Sequence, residues 1–261
     1  WTGESTEELF YTLCDEYGFY VMDECDMESH GVRRKGVPGS NPVWTNAVVD
    51  KMQRMVLRDR NHACVFMWSL GNEAGDGTNF AKMKEAALEL DKTRQFHYEG
   101  DFDLTKSDVI SRMYPLPDIM EKLGNREPIT ISLYDNVANQ LAADSKPIPK
   151  EAYTKPVILC EYAHAMGVGP GGLEDYWQVI DSSDRFMGGC IWEWADHAID
   201  HEGEKIKYTY GGDHGDKQQD GGGAGGIDGE DEEQPDETGC RLGLGDDREE
   251  YAEGARQRGR G

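Results

Sequence analysis

Short apolar runs alternate with amphipathic stretches over the first 212 residues, and this alternation predicts the secondary structure. The runs lack strict apolar–polar alternation, which is typical of parallel strands that are covered on both faces. The predicted strands occupy residues 18–24, 63–73, 95–101, 108–115, 156–164 and 188–196.

Apolar residues recur at helical spacing between several of these runs. In the stretch that follows Thr45, the side chains of Val49, Met52 and Val56 fall on one stripe, with Arg and Asp residues opposite. The helices predicted in this way occupy 46–62, 81–92 and 171–182. Alternation of strand and helix predicts an α/β fold with a parallel sheet and right-handed crossovers.

Polar residues follow the predicted strands at their carboxyl ends. They are Asp23, Glu24, Asn72, Glu73, Glu99, Asp101, Tyr114, Glu161, His164, Glu193 and Asp196. A (β/α)8 barrel builds its active site at that end. We therefore predict a partial (β/α)8 barrel of about six of the eight strand–helix units, with the other two upstream of residue 1. A doubly wound open sheet is the alternative, but no GxGxxG follows a first strand.

The apolar pattern stops after Asp213, and Gly, Asp and Glu dominate from there on. Ile227, Leu242 and Leu244 are the only branched aliphatic residues from Asp216 to the end. Such a segment buries too little apolar surface to offset its ordering entropy. We predict one domain over residues 1–212 and a disordered low-complexity tail over 213–261. Either an acidic regulatory tail or a reading-frame artefact would have this composition.

Charge and cysteine content exclude several classes of partner. The 261 residues carry a formal net charge of −24, which disfavours binding to nucleic acid or to an anionic membrane surface. No apolar stretch approaches the roughly 20 residues that cross a bilayer. The six cysteines form no CxxC pair, so we expect free thiols in a reducing, cytoplasmic compartment rather than disulfides or a zinc site.

Two glutamates stand at strand ends as candidates for paired carboxyl chemistry. Glu73 ends the run "WSLGNE" and Glu161 ends "PVILCE". Hydrolysis of a glycosidic bond uses two carboxyl groups, one of which protonates the leaving oxygen while the other attacks the anomeric carbon or activates water. Their separation distinguishes retention from inversion, and the sequence does not supply it.

Four blocks together resemble the catalytic barrel of glycoside hydrolase family 2, specifically its β-galactosidases. They are "LCDEYGFYVMDECDMESHGV", "RDRNHACVFMWSLGNEAGDG", "PVILCEYAHAMG" and "GGCIWEWADHA". The resemblance covers about residues 8–213. It implies a retaining hydrolase that cleaves terminal β-D-galactosides such as lactose by double displacement.

The resemblance also implies roles for individual residues. Glu161 resembles the nucleophile, and Glu73 resembles the acid/base. The implied substrate-binding residues are Asn72, Tyr114, His164 and Trp192. Glu24, His97, Glu99 and Asp101 are interpreted as supporting groups without a direct role.

A divalent cation belongs to the implied site. Glu28 and His30 in "MESHG" resemble magnesium ligands that act together with Glu73. Carboxylate oxygens suit magnesium, whereas His30 is a less usual magnesium ligand, so manganese is also compatible. After "YGGD" the chain has no Phe or Asn to match the family's sodium site, so no sodium ligand is carried over.

The departures from the family lead to further expectations. Gly3 stands where the family has a histidine, and upstream and downstream domains are absent. We expect the intact parent protein to be a homo-oligomeric β-galactosidase and this chain to be weakly active or inactive. Another family 2 specificity, or a non-catalytic carbohydrate-binding fragment, remains the alternative.

Overall fold

Strands and helices alternate along the chain. The computed structural model describes residues 2–4, 7–29, 37–101, 103–127, 129, 153–165, 171–193, 199–200 and 208–209. The chain divides into two compact units, residues 1–194 and 195–261. The elements of the first unit are β1 (Thr2–Glu4), α1 (Glu8–Tyr17), β2 (Val21–Glu24), α2 (Thr45–Asp59), β3 (Val65–Ser69), α3 (Thr78–Leu90), β4 (Gln95–His97), β5 (Ile110–Met113), α4 (Pro117–Gly124), β6 (Val157–Tyr162), α5 (Leu173–Asp181) and β7 (Phe186–Ile191).

The seven strands described in this unit all pair in parallel. Strands β1 to β4 form one sheet in sequence order, and β5 to β7 form another. The two sheets adjoin at β4 and β5, because the backbone N–H of Asp108 donates to the carbonyl oxygen of Phe96 at 2.7 Å. The carboxylate of Asp108 accepts from the N–H of Phe96 in return, at 2.8 Å. The carboxyl ends of the strands in both sheets therefore lie on a common edge.

Alternate residues of the strands point to opposite faces, as strand geometry requires. On one face Met22, Met67, Val109 and Ile158 form a buried cluster that draws on both sheets. The two sheets thus share an interior, which is the arrangement of a rolled sheet with layers of inward side chains.

The other face of the first sheet packs against helices. Trp68 is fully buried there, in a cluster that includes Met52 and Val56 of α2 and Phe80 of α3. Its indole N–H donates to the Asp91 carboxylate at 3.1 Å, which satisfies the polar atom of this large buried ring. The stripe of methionine and valine residues predicted within 46–62 is therefore the core-facing side of α2.

The predicted α/β fold with parallel strands is confirmed, and all six predicted strands are present: β2 to β6 lie within the predicted bounds, whereas β7 begins two residues before its predicted start and ends five residues before its predicted end. The predicted number of strands was one too few, since β1 is a seventh parallel strand. Its three residues, Thr2–Glu4, include no apolar residue that would signal a strand. Helices α1 and α4 were also missed, although Pro117 at the start of α4 is a recognised helix-initiating residue.

The second unit contains a small antiparallel pair in its described part. Strand β8 (Ile199–Asp200) pairs with β9 (Tyr208–Thr209). The predicted boundary at 212/213 and the predicted tail lie outside the described residues.

The described cysteines and helices bear on the expected free thiols and on membrane insertion. Cys14, Cys25, Cys64 and Cys160 are free buried thiols. Within the described part of the chain, none of the helices has the length and apolar character needed to cross a bilayer.

Candidate active site

A chain of hydrogen bonds crosses four neighbouring strands just below their carboxyl ends. The Ser69 hydroxyl donates to Oε2 of Glu24 at 2.7 Å and lies 2.8 Å from Nδ1 of His97. The other ring nitrogen of His97 lies 2.7 Å from the Ser111 hydroxyl. Because Ser69 gives its proton to Glu24, it accepts from Nδ1–H of His97, and Nε2 accepts from Ser111. Burial lowers the pKa of His97 to about 3, so the ring is neutral.

The segment after β3 carries Asn72 and Glu73 and is held against the loop after β2. The Asn72 N–H donates to the carbonyl of Met27 at 3.0 Å, and the Asn72 amide donates to Oε2 of Glu28 at 2.6 Å. A Cβ atom on Gly71 would lie 2.6 Å from Cβ of Met27, so this close approach requires glycine. Backbone pairing therefore places Glu28 beside Asn72, the residue that precedes Glu73.

Glu73 itself has a left-handed backbone, with φ of 43°. Its N–H donates to Oε1 of Glu99 at 2.7 Å. Glu99 is 4% exposed, and Oε2 of its carboxyl has no hydrogen-bond partner among the described residues. Burial raises the pKa of Glu99 well above its ordinary value, and the nearby carboxyl of Glu24 adds to this effect.

Glu161 lies in β6 beside the end of β5. The Tyr114 hydroxyl donates to Oε2 of Glu161 at 2.5 Å, and the Tyr114 N–H donates to the Glu161 carbonyl at 2.9 Å. A hydrogen bond of this kind favours the ionised form of a carboxyl group. The structure thus places the Tyr114 hydroxyl on Glu161, whereas contact of Tyr114 with a sugar stays a prediction.

His164 and Trp192 lie next to this pair. The rings of Tyr114 and His164 have centroids 5.5 Å apart. Trp192 follows β7 and is held to the segment after β6 by two backbone hydrogen bonds, from its N–H to Tyr162 and from the Ala165 N–H to its own carbonyl. The Trp192 side chain is 38% exposed, so its ring is accessible at this edge.

Strained backbone is concentrated at these strand ends. Five non-glycine residues of the described chain have positive φ. Three of them are Glu73, Tyr114 and Ala163, which follow β3, β5 and β6. Left-handed conformations of non-glycine residues persist where the surrounding structure imposes them, and they cluster at functional sites.

Two polar residues predicted at the strand ends turn away from this site. Asp23 accepts a hydrogen bond from the hydroxyl of Tyr11 in α1 at 2.7 Å, so it faces the helices. Asp101 is fully buried and paired with Lys106 at 2.8 Å. The expected place of Asp23 among the converging groups was therefore wrong, because neighbouring residues of a strand alternate between faces. The interpretation of Asp101 as a supporting group without a direct role stays a prediction.

Two of the three predicted metal ligands belong to the described chain. Glu28 is exposed and Glu73 is half-buried, and the backbone pairing brings their segments together. Carboxylate oxygens from adjacent segments, open to solvent, fit a hard divalent cation. His30 lies outside the described residues.

The structure brings together a different set of potential ligands that the sequence did not indicate. Asp15, His62 and Cys64 have donor atoms within 4.8 Å of one another. Oδ2 of Asp15 lies 2.7 Å from Nδ1 of His62, and Oδ1 accepts from the Cys64 N–H. Burial, with Asp15 nearby, raises the pKa of the Cys64 thiol to about 12. The Cys64 thiol donates to the carbonyl of Tyr11 at 3.5 Å, so hydrogen bonds account for the contacts of all three residues.

Comparisons with known proteins agree with the architecture. Residues 5–230 match the family described as "Glycosyl hydrolases family 2, TIM barrel domain". A β-galactosidase of Staphylococcus xylosus is 37% identical over 233 residues, which is 82% of this chain and 21% of that protein. A β-galactosidase of Pseudoalteromonas haloplanktis is 40% identical over 215 residues, 81% of this chain and 19% of that protein. The chain thus spans about a fifth of the length of these curated relatives.

A solved structure has a similar fold. The β-glucuronidase of Ruminococcus gnavus superposes with a TM-score of 0.51, at 16% identity, over 80% of this chain and 40% of that one. At this identity the likeness concerns the fold alone.

Proposed function

The chain belongs to the TIM-barrel domain of glycosyl hydrolase family 2, and from this membership we propose that it carries the catalytic site of a retaining β-galactosidase. The seven parallel strands are then strands of the (β/α)8 barrel. The observation that carries the proposal is the hydrogen bond from Tyr114 to Glu161, at the same edge as the Asn72–Glu73 segment. The identity to β-galactosidases over most of the chain supports the galactoside as substrate.

Glu161 acts as the nucleophile in this proposal. One oxygen of its carboxylate attacks the anomeric carbon and forms an ester bond to it, while the bond from that carbon to the leaving oxygen breaks. The hydroxyl of Tyr114 occupies Oε2 and stabilises the carboxylate between turnovers. Glu161 leaves again as a carboxylate in the second step.

Glu73 acts as the acid and then as the base. It gives its proton to the leaving oxygen in the first step and takes a proton from water in the second, when the water oxygen attacks the anomeric carbon and the ester breaks. Asn72, His164 and Trp192 bind the sugar in this proposal. The accessible ring of Trp192 offers an apolar surface to one face of the galactosyl group.

Glu28 and Glu73, with His30, are the proposed ligands of a magnesium or manganese ion. The ion supplies positive charge beside the acid/base carboxyl when it is bound. The hydrogen bond from the Asn72 amide to Glu28 orients one of these carboxylates. A cytoplasmic location and a homo-oligomeric parent protein remain predictions.

A substrate panel tests the proposal. The chain is incubated with 4-nitrophenyl β-galactoside, β-glucuronide and β-mannoside and with lactose, and proton NMR follows the anomer released first. The proposal expects slow hydrolysis of the galactosides, in keeping with the weak activity expected of this chain, with β-galactose as the first product. The variant Glu161→Gln abolishes turnover, whereas Glu174→Gln on the exposed surface of α5 does not. Preference for the glucuronide or mannoside, or galactose binding without hydrolysis that is unchanged by Glu161→Gln, would contradict it.

A further inference from the structure

Three hydrogen bonds from the end of β4 hold the segment that carries Glu73. The N–H of Leu70 donates to the carbonyl of His97 at 2.9 Å, and the hydroxyl of Tyr98 donates to the carbonyl of Gly75. The third joins the Glu73 N–H to Oε1 of Glu99 at 2.7 Å. Among these three contacts, the bond to Glu99 is the one made by Glu73 itself.

The first two contacts fix the two ends of the segment. Tyr98 is buried and stacks on Phe80 of α3 with ring centroids 4.1 Å apart, so its hydroxyl is a rigid donor. The backbone bond between Leu70 and His97 continues the pairing of β3 with β4. Between these two points the chain makes the left-handed turn at Glu73.

A left-handed φ is unfavourable for glutamate, because its Cβ approaches the carbonyl oxygen. Such a conformation persists only where other contacts impose it. The Glu99 carboxyl satisfies the backbone N–H of Glu73 in that conformation. The direction in which the Glu73 side chain leaves the backbone depends on this φ, so the same bond controls where its carboxyl lies.

We propose that Glu99 is a positioning residue: its Oε1 holds the backbone N–H of Glu73 and thereby fixes the conformation from which the Glu73 carboxyl transfers protons. This inference rests on the acid/base role of Glu73 in the proposed function. Glu99 does not contact the sugar in this account, since 4% exposure leaves it no surface for a ligand. A hydrogen-bond acceptor at Oε1 is the property required, and a negative charge is not.

Two substitutions separate the acceptor from the bulk of the side chain. Glu99→Gln keeps an acceptor oxygen and the shape of the side chain. Glu99→Met keeps a similar length and an apolar stem but removes the acceptor. Tyr11→Phe is the matched control, because it also removes one hydrogen bond of a buried carboxyl, that of Asp23, on the helix side of the sheet.

Two substrates that differ in their leaving group distinguish a positioning role of Glu99 from a merely structural one. Phenyl β-galactoside needs protonation of its leaving oxygen, whereas 2,4-dinitrophenyl β-galactoside does not. Glu99→Met should lower kcat/KM about 100-fold for the phenyl substrate and less than about threefold for the dinitrophenyl substrate. Azide, which needs no base, should restore kcat of this variant on the dinitrophenyl substrate.

The variants with an intact acceptor should behave differently. Glu99→Gln is expected to stay within about threefold of the parent on both substrates, as is Tyr11→Phe despite its lower stability. An equal loss on both substrates in Glu99→Met, or a loss in Glu99→Gln as large as in Glu99→Met, would overturn the inference. Should Glu99→Met not fold, Glu99→Asp, whose acceptor is one methylene short, takes its place.

Hydrogen exchange at the Glu73 amide tests the same bond without any turnover. The amide should be protected in the parent chain and in Glu99→Gln, and it should exchange faster in Glu99→Met. Unchanged protection in Glu99→Met would contradict the positioning role. If the parent chain hydrolyses no galactoside, the proposed function fails, and the exchange experiment still decides whether Glu99 holds Glu73.

Discussion

The hydroxyl of Tyr114 donates a hydrogen bond to Oε2 of Glu161 across 2.5 Å, between the ends of two adjacent parallel strands. The bond holds the carboxyl in one orientation and favours its ionised form. A nucleophilic carboxylate needs both properties. The first prediction follows from this contact.

Removal of this hydroxyl should impair turnover without unfolding the protein. Tyr114→Phe is expected to lower kcat/KM for galactosides about 100-fold, as loss of one preorganised donor does in other sites. The free energy of unfolding should change by about 1 kcal/mol. Steady-state kinetics and urea unfolding measure the two effects.

Tyr162→Phe is the matched control for this prediction. Tyr162 directly follows Glu161 in β6, but its hydroxyl accepts a hydrogen bond from the indole of Trp177 in α5. Its loss should leave kcat/KM within about threefold. Equal kinetic losses in both tyrosine variants would show that Tyr114 has no special relation to Glu161.

The stability of the fold should depend on pH through Asp23. Burial raises the pKa of Asp23 from 3.8 to about 7, with Asp59 nearby adding to the shift. Between these values the folded state binds more protons than the unfolded state. The free energy of unfolding contributed by this group therefore falls as pH rises from about 4 to 7, by up to about 1.4 kcal/mol per pH unit, and is constant above.

Asp23→Asn isolates this contribution. Asn keeps an acceptor for the hydroxyl of Tyr11 and does not ionise. Urea unfolding at several pH values should show the parent chain losing stability relative to Asp23→Asn as pH rises from 5 to 7. A difference that is independent of pH would contradict the assignment.

His97 should remain neutral, with its proton on Nδ1, from pH 5 to 8. Its folded pKa of about 3 lies below the usual 6.5, so the unfolded state binds more protons between these values. The stability contributed by His97 is complete above about pH 6.5 and is lost as pH falls toward 3. Nitrogen-15 NMR of the ring identifies the tautomer, and a proton on Nε2 would contradict the direction of the hydrogen-bond chain.

Lys106 should stabilise the loops that follow β3 and β4. Its ammonium is 2.8 Å from Asp101 and 3.0 Å from Asp76, and Asp101 is fully buried. Lys106→Met leaves that carboxylate without its partner, which should lower the free energy of unfolding by about 3–5 kcal/mol.

Lys51→Met supplies the comparison for Lys106. Lys51 pairs with Asp26 at the surface, where both side chains are about half exposed. Its loss should cost about 1 kcal/mol or less. Urea unfolding that shows equal losses in the two variants would contradict the structural role of Lys106.

The sequence was informative about the strands because the predicted strands are apolar runs, and both faces of the sheet bury most residues of β3, β5 and β6. The run before Glu161 is an example, with Val157 and Leu159 fully buried. Strand β1 gave no such signal, since its three residues, Thr2–Glu4, include no apolar residue. Helix α4 had its signal in Pro117 and Gly124, at the two ends of a stretch with the apolar residues Met120 and Leu123 buried between them.

The sequence predicted which strand end carries each residue of the site. It did not predict which of these residues contact one another. The contacts of Asn72 with Glu28 and of Glu73 with Glu99 join residues 44 and 26 positions apart. No spacing along the chain indicates such pairs, because they follow from how loops lie side by side. For the same reason the sequence did not predict the chain of hydrogen bonds that joins Ser69, His97 and Ser111.

The identity of the nucleophile is the central claim, and trapping of the glycosyl-enzyme tests it most directly. The chain is treated with 2,4-dinitrophenyl 2-deoxy-2-fluoro-β-galactoside, digested, and analysed by mass spectrometry. The account predicts one fluorogalactosyl ester on the peptide that contains Glu161, and none in Glu161→Gln. An ester on another carboxylate, or hydrolysis of galactosides with no ester at Glu161, would contradict it.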